Sequence, residues 1–489
     1  MNYENGLVLS IILIPTVTAL ILAMTRRVIG KYADWVAAAA TGLTLLAVLA
    51  MLPVLYGGVE PRISLDWLPQ AGIHFILHVD WLTFPFLFTE ALVTVFAVVY
   101  SLGYHHRDER TPFFYALILF FGVGMAGTTL ADSVFLFYIF WELMLIASCV
   151  LILAWGEGPN TGSVALKYFL ITHLGSLLVL VGLIYLYDVA GSDSFAVLKS
   201  GLELAPSAVR MITVLFLVGF GVKMAVFPLH IWLPDAHSVA PMPVTIMLAA
   251  AMLSMGVYGI LRFPLSIFSM AQMSVFAVPL MVAGLVSQIY GALMAIAEQD
   301  IKRIIAYSSV SQMGYILFGL GTMTYEGIAG ATLHVIYHAV VKALLFMCVG
   351  LVIRATGKRQ ISELSGLLKK MPLAAACSAI GVLAISGVPM LAIFNSEWMI
   401  YSGGFHTTHP GLVIAMVLGS LLTVVYALRL FSNIFLGDYM EEVELNSIPR
   451  TMNLPTVLLA GLALLAGVYP SPVFGWIEQE LTLILGGLW

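Results

Sequence analysis

Long apolar stretches separated by short polar segments follow one another along the whole chain. A helix needs about 20 mostly apolar residues to cross the hydrocarbon region of a bilayer, and fourteen segments meet this criterion. The short apolar segment 476–489 is expected at the membrane interface or against neighbouring helices. The predicted spans are 6–24, 33–56, 80–102, 112–130, 132–155, 164–187, 210–237, 241–263, 273–297, 301–322, 327–354, 373–402, 410–437 and 453–475.

Two predicted spans contain interior breaks, at Phe227-Pro228 in span 7 and at Ser386–Pro389 in span 12. Proline removes a backbone donor, which a bilayer tolerates only where the chain lies beside protein or a water-filled cavity. Breaks that lie five spans apart indicate an inverted repeat with a site at each break. We therefore predict one membrane domain over 1–489, with two inverted five-helix repeats at about 112–263 and 273–437.

Composition supports an all-α integral membrane protein. The chain has 489 residues, of which 61% are hydrophobic and 10% charged, and its mean hydropathy is +1.02. Soluble domains are about a quarter charged. A net charge of -5 without a basic patch argues against nucleic acid as a partner. The three cysteines lie apart from one another, so we predict no metal, no disulfide and no redox cofactor in this chain.

Basic residues predict the orientation of the spans, because loops on the cytoplasmic side are enriched in lysine and arginine. Thirteen of the 21 lie in the odd-numbered loops and four in the even-numbered loops and termini. We therefore expect a multi-pass protein of the cell membrane with both termini outside. The other four basic residues lie inside spans: Lys167, Lys223, Lys342 and Arg429.

Glu142 is the first candidate for ion chemistry. It lies near the middle of span 5, roughly 15 Å deep at about 1.5 Å per residue. A carboxylate at this depth is neutral or paired with a cation, because desolvation penalises its charged form. Lys223, next to the break in span 7, is the predicted partner. A pair whose separation varies would take up and release a proton, and a static ion pair is the alternative reading.

His334, His338 and Lys342 recur every four residues, which places them on one face of span 11. Imidazole titrates near neutrality and both donates and accepts, as a proton relay requires. Metal binding by the two histidines is one alternative, and a core face with satisfied hydrogen bonds is another. No acid or thiol nearby completes a metal site, so we favour the relay.

Glu397 follows the second break, as Lys223 precedes the first, and we predict that it carries protons near the exit. Arg429 is expected either to pair with Glu397 or to reach the membrane interface. His230 and His237 lie near the first break. We expect them either to cap helix ends or to carry protons, and the sequence does not decide between the two roles. Asp235 is read as the cap of a helix start. Glu90, inside span 3, is a buried acid without an assigned role.

The chain resembles the antiporter-like membrane subunits shared by complex I, Mrp-type cation/proton antiporters and membrane-bound hydrogenases. The similarity extends over nearly all fourteen spans. The stretches that show it are Lys223–His237 (KMAVFPLHIWLPDAH), Ser238–Val244 (SVAPMPV), Gly256–Arg262 (GVYGILR), Asp300–Tyr315 (DIKRIIAYSSVSQMGY), His338–Phe346 (HAVVKALLF), and the break before Glu397.

This resemblance implies two inverted five-helix repeats and a line of charged residues across the midplane. Glu142 and Lys223 match the glutamate–lysine pair of the family, and His334 and His338 match its central histidines. Glu397 matches a position that holds lysine or glutamate. One departure is Ser254, which stands in span 8 where the family often has a lysine, so a relay at this point needs ordered water or the nearby histidines and Lys342.

The function that follows is translocation of protons, or of sodium in exchange for protons, by a subunit of a respiratory or hydrogenase-type membrane complex. The chain itself would be a pumping subunit without redox chemistry. Its expected partners are lipids, further antiporter-like or small Mrp-like subunits and a redox module with iron–sulfur clusters. A stand-alone Mrp-type antiporter driven by the ion gradient is the alternative, and a scaffold that only anchors a partner is a third reading. The candidate site consists of Glu142, Lys223, His334, His338, Lys342 and Glu397.

Overall fold

The computed structural model describes residues 2–25, 30–105, 108–202, 204–439 and 445–484. In these ranges, thirteen helices are long and apolar enough to cross a membrane. Two shorter helices, Pro372–Ile385 and Ala392–Phe405, together make a fourteenth, broken span. The prediction of about fourteen spans in an almost wholly helical membrane protein is confirmed. Arg26, Arg27 and Arg107, which entered the orientation argument, lie outside the described residues.

We number the spans in chain order, with the broken helix Pro372–Ile385/Ala392–Phe405 as span 12. The other spans, 1 to 11 and then 13 and 14, are Tyr3–Met24, Gly30–Tyr56, Thr83–Tyr104, Thr111–Leu130, Val134–Trp155, Thr161–Ala190, Pro206–Met224, Met242–Ile267, Met270–Ala297, Ile301–Gly321, Tyr325–Thr356, Pro410–Phe435 and Arg450–Val468. The short helix Leu233–Val239 is the second part of the broken span 7. Shorter helices outside the spans are Phe195–Lys199 and Ser471–Ile484, with 3-10 turns at Pro69–Ala71 and Ile361–Glu363.

Spans 8, 10 and 11 form the buried centre of the protein, whereas spans 1, 2 and 13 bury only about a third of their most apolar stretch. Apolar side chains exposed on the outer spans suit lipid tails. Ionisable groups on the central spans are shielded from lipid, as their cost in hydrocarbon requires.

Span 7 breaks as predicted. Its first helix ends at Met224, and the helix Leu233–Val239 follows after a segment that contains Pro228. Two side chains bond the backbone groups that the break frees. Trp232 Nε1 donates to the Val222 carbonyl at 2.9 Å, and Ser287 Oγ accepts from the Phe227 amide at 2.9 Å. The backbone groups freed by the break are therefore satisfied by side chains of the protein, although Pro228 and Ile231 themselves are exposed on its outer surface.

Span 12 breaks between Ile385 and Ala392. The two broken spans are thus five spans apart, as an inverted repeat requires. The repeat boundaries at 112–263 and 273–437 remain a prediction.

The connection between spans 2 and 3 contains a β-hairpin that the sequence reading missed. Strand β1 (Arg62–Leu68) pairs antiparallel with strand β2 (Ile73–His78), with Arg62 opposite His78. Gly72, with a φ of 62°, closes the turn. These strands have only seven and six residues, so a search for apolar stretches of about 20 residues passes over them.

The C-terminal helix Ser471–Ile484 packs against span 3. Trp476 meets Phe84 edge to face, with ring centroids 5.1 Å apart, and meets Phe88 at 5.4 Å. The C-terminal segment was expected either at the membrane interface or against neighbouring helices. In the structure it packs against a neighbouring helix. Residues 485–489 lie outside the described ranges.

Candidate ion-translocation site

Glu142 contacts a histidine that the sequence reading did not consider. Its Oε2 lies 3.1 Å from Nδ1 of His173, on the adjacent span 6. Both side chains are partly exposed, at 16% and 35%, so this contact lies towards the outer surface of the helix bundle. The ring of Phe169, one turn away, stacks on the His173 ring at 5.3 Å. A carboxylate in contact with an imidazole forms a site that can hold and pass a proton.

Lys223 is buried one turn from the break in span 7. Its Nζ lies 5.0 Å from the ring centroid of Trp141, a cation–π contact, and has no hydrogen-bond partner among the described residues. Glu142 and Lys223 are not in direct contact here, because the carboxylate contacts His173 and the ammonium contacts Trp141, and the pair of variable separation stays a prediction. A lysine held over an aromatic face is not tied to one carboxylate and can change partners.

His334 is hydrogen-bonded at both ring nitrogens. Nε2 lies 3.0 Å from Oε1 of Gln312 in span 10, and Nδ1 lies 3.0 Å from Oγ of Ser396 in span 12. The Ser396 hydroxyl also lies 2.7 Å from the Ile393 carbonyl. Since a hydroxyl has one proton, it donates either to that carbonyl or to the imidazole. Because Oε1 of Gln312 can only accept, Nε2 of a neutral His334 donates to it and Nδ1 is left to accept from the Ser396 hydroxyl.

His338 and Lys342 continue the same buried face of span 11. The rings of His334 and His338 are 6.5 Å apart. Lys342 Nζ donates to the Ile305 carbonyl at 3.0 Å and to the hydroxyl of Ser308. The predicted arrangement of these three residues on one face agrees with the structure, and the face turns inward.

Glu397 lies against the break in its own span. A β-carbon placed on Gly387 would stand 2.3 Å from Glu397 Oε2, and Gly387 has a φ of +67°. Only glycine fits a position with that backbone conformation and that close approach. Oε1 of Glu397 is buried without a hydrogen-bond partner in the part of the chain that the structure describes. The carboxyl is thus held at the break and keeps a free oxygen.

Arg429 and Asp235 have partners that the sequence did not predict. Arg429 Nη1 donates to the Glu298 carbonyl at 2.9 Å rather than pairing with Glu397. Asp235 does not cap a helix; it forms ion pairs with Lys167 and Arg303, both at 2.8 Å, because the fold brings three spans together at this end.

The histidines near the first break do not serve as caps either. Both nitrogens of His237 and Nδ1 of His230 are buried without hydrogen-bond partners among the described residues. The His237 ring lies 5.6 Å from that of Phe346, one turn beyond Lys342 on span 11. His237 therefore lies between the first break and the central face of span 11.

Span 8 is interrupted near Ser254. A π-helical turn, Leu248–Met252, lies immediately before it, and the Ser254 hydroxyl donates to the Ala251 carbonyl. π-helical turns often occur at functional sites. A serine is uncharged, and the Ser254 hydroxyl bonds a carbonyl of its own helix. This position therefore adds no charge to the centre of the protein.

A separate charged network connects the hairpin region with Arg262, near the end of span 8. Arg262 and Asp80 form a buried bidentate ion pair, with N–O distances of 2.6 and 2.8 Å. Burial alone would raise the pKa of Asp80, but the charge of Arg262 holds that pKa well below 3.8. His74 Nδ1 lies 2.9 Å from Oδ1 of Asp193, and this hydrogen bond raises the pKa of His74 above 6.5.

The candidate residues therefore form two groups. One contains Glu142 and Lys223, together with His173 and Trp141. The other lies on the central face and at the second break, with Gln312, Ser396 and Ser308 as members that the sequence reading missed. The sequence could have identified most of these residues, because they are polar side chains inside otherwise apolar spans.

A family profile for the transmembrane part of NADH:quinone oxidoreductase and Mrp antiporters matches residues 131–423. The chain is 35% identical over 420 residues to NAD(P)H-quinone oxidoreductase chain 4 1 of Synechococcus sp. (strain JA-3-3Ab), covering 83% of this chain and 78% of that one. It is 32% identical over 487 residues to NADH-quinone oxidoreductase subunit M of Escherichia coli (strain K12), covering 95% and 94%.

Three solved structures share the fold. A chain of the Mrp complex from Dietzia sp. DQ12-45-1b superposes with a TM-score of 0.90 at 23% identity, covering 100% of this chain and 98% of that one. A chain of an archaeal membrane-bound sulfane sulfur reductase gives 0.85 at 28% identity, covering 96% and 77%. A chain of respiratory complex I from Thermus thermophilus gives 0.85 at 25%, covering 98% and 100%.

Proposed function

The chain belongs to the NADH:quinone oxidoreductase/Mrp antiporter transmembrane family, and from that premise we propose that it translocates protons, alone or in exchange for sodium, as a subunit of a membrane-bound respiratory or hydrogenase-type complex. One observation supports this most strongly. Ionisable side chains on spans 7, 11 and 12 are buried at the two breaks and at the centre, where they are shielded from lipid. Such groups are expensive in a membrane and mark ion paths.

In the proposed path, a proton is held at Glu142 and His173, and the position of Lys223 controls its release. When the ammonium moves from the Trp141 ring towards Glu142, the ionised carboxylate is stabilised and the proton leaves. When it withdraws, the carboxylate takes up a proton again. The free nitrogens of His237 lie on the way from the break to span 11.

The second half of the path uses Lys342, His338, His334 and Glu397. Protons would pass between the imidazoles through water, since their ring centroids are 6.5 Å apart. Ser396 contacts His334 and precedes Glu397, the group that we assign to the exit. Because Ser254 carries no charge, the relay in this protein depends on the histidines and Lys342.

The relatives named above are subunits of multi-subunit assemblies, which supports other membrane subunits as partners. We propose a redox module with iron–sulfur clusters as the driving partner, and lipids around spans 1, 2 and 13. We also propose the cell membrane as the location, with both termini outside. A stand-alone Mrp-type antiporter driven by the ion gradient remains the alternative.

The test is proton uptake by proteoliposomes that contain the whole complex purified from its native membrane. We expect Glu142→Gln to abolish coupled uptake while assembly is retained, and Glu157→Gln, at the end of span 5, to serve as the matched control. Uptake driven by electron transfer supports the first proposal, and uptake driven only by a sodium gradient supports the alternative. Wild-type uptake in Glu142→Gln would refute both.

A further inference from the structure

Asp235 lies outside the path described above, in the first turn of the helix Leu233–Val239, and it forms ion pairs with two different spans. Its Oδ2 accepts from Nζ of Lys167 in span 6 at 2.8 Å, and its Oδ1 accepts from Nη1 of Arg303 in span 10 at 2.8 Å. Both oxygens of the carboxylate are thus engaged. The second half of the broken span 7 is therefore fastened to two spans that are themselves unbroken helices.

Arg303 is held in place by a second carboxylate. Its Nε donates to Oε2 of Glu298 at 2.8 Å, and its guanidinium lies 5.8 Å from the ring centroid of Tyr307, one turn further along span 10. A planar guanidinium that already has partners loses little further freedom when it binds another carboxylate. Arg303 is therefore a pre-organised partner for Asp235, and their contact fixes the short helix of Asp235 against span 10.

The same short helix is bonded to the first half of span 7. Trp232 immediately precedes this helix and is fully buried, and its Nε1 donates to the Val222 carbonyl at 2.9 Å. The Trp232 ring also lies 5.1 Å from the ring of Tyr168, the residue that follows Lys167. Two successive residues of span 6 thus contact the second half of span 7, one at its ion-paired carboxylate and one at its indole.

Lys223 directly follows the carbonyl that Trp232 bonds. The ammonium of Lys223 has no hydrogen-bond partner among the described residues. Its position is therefore set by the backbone that carries it and by the Trp141 ring. A shift of the short helix acts on that backbone through the hydrogen bond between Trp232 and Val222.

We propose that Asp235 is a positioning residue: its two ion pairs hold the second half of span 7 and, through Trp232, set the position of Lys223. Span 6 also carries His173, which contacts Glu142, so this one span bears on both members of the pair. The inference rests on the proposed function, because it concerns the same site. Asp235 itself does not carry the proton.

The test is the initial rate of coupled proton uptake by proteoliposomes that contain the whole complex, normalised to the amount of assembled complex. Asp235→Asn removes both ion pairs and keeps the size of the side chain. Because partly exposed pairs are individually weak, we expect the rate to fall about 2- to 30-fold. Asp235→Glu keeps the charge and should restore most of the rate. Asp108→Asn, at an ion-paired aspartate before span 4, is the matched control and should leave the rate unchanged.

A double-mutant cycle tests the route through Trp232. Trp232→Phe keeps a ring beside Tyr168 but loses the hydrogen bond to the Val222 carbonyl, and it should also lower the rate. If Asp235 acts through this bond, the double variant with Asp235→Asn is no slower than the slower single variant. Effects that multiply would show that the two residues act independently, and would overturn the inference.

A wild-type rate in Asp235→Asn also overturns the inference, whereas the proposed function stands as long as Glu142→Gln abolishes uptake. The two can therefore fail separately. If Asp235→Asn does not assemble, Lys167→Gln removes only one of the two ion pairs, and we expect a rate about 2- to 5-fold below that of the wild type. An unchanged rate in Lys167→Gln would then overturn the inference.

Discussion

Nδ1 of His173 lies 3.1 Å from Oε2 of Glu142, on the side of span 5 that faces outward from the bundle. Lys223 lies inward and contacts the Trp141 ring instead. The carboxyl therefore stands between an imidazole at the surface and an ammonium in the interior. Under the proposed function we assign the two neighbours separate tasks: His173 exchanges a proton with the carboxyl, and Lys223 controls the proton affinity of that carboxyl.

Replacement of His173 should therefore slow translocation without abolishing it. His173→Phe keeps an aromatic ring beside Phe169 but removes the nitrogen that contacts Glu142. Loss of a hydrogen bond to a charged group costs about 1.5–3 kcal/mol, which corresponds to a rate reduced roughly 10- to 100-fold. The measurement is the initial rate of proton uptake by proteoliposomes. His409→Phe, at a residue that lies before span 13, is the control, and equal rates in both variants would contradict this role.

The cation–π contact of Lys223 gives a second prediction. Trp141→Leu removes the aromatic face and should reduce coupled translocation about 2- to 30-fold, since such contacts are worth about 0.5–2 kcal/mol. Trp141→Phe keeps the face but loses the hydrogen bond from Nε1 to Ser176, which is 2.9 Å long. We expect the phenylalanine variant to be closer to the wild type. The reverse order would show that the hydrogen bond to Ser176 matters more than the contact with Lys223.

Gly387 offers a test of the second break. Gly387→Ala places a methyl group where Glu397 Oε2 now lies, and adds about 1–3 kcal/mol of backbone strain at positive φ. We expect translocation to fall as far as in Glu397→Gln. Gly357 has a similar φ of +69° with open space around it, so Gly357→Ala imposes the strain without the contact. Thermal unfolding should shift similarly in both, and loss of translocation in both would mean that strain alone is responsible.

The hairpin should loosen as the pH rises. The pKa of His74 is raised because its hydrogen bond to Asp193 favours the protonated ring. A raised pKa in the folded state stabilises the fold fully below the unfolded value, and this contribution is lost as the pH rises through the folded value. Amide hydrogen exchange over β1 and β2, corrected for intrinsic rates, should therefore increase above pH 6.5. In His74→Gln the exchange should be fast at every pH, and a pH dependence identical to the wild type would exclude His74 as the cause.

Hydropathy alone predicted the membrane part of the fold because a bilayer demands about 20 apolar residues per span, and that demand is local in sequence. The breaks at Pro228 and Gly387 were visible for the same reason, since proline and glycine act on their own helix. The inward face of His334, His338 and Lys342 followed from helical periodicity. The hairpin was missed because its strands are far shorter than a membrane span.

Which groups touch was decided only by the tertiary structure. The sequence predicted that Glu142 and Lys223 lie at membrane depth and carry opposite charges. The packing of span 6 on span 5, however, brings His173 rather than Lys223 into contact with the Glu142 carboxylate. Likewise Ser396 and Gln312 reach His334 from two other spans. Contacts between helices distant in sequence depend on crossing angle and rotation, which no periodicity within a single helix records.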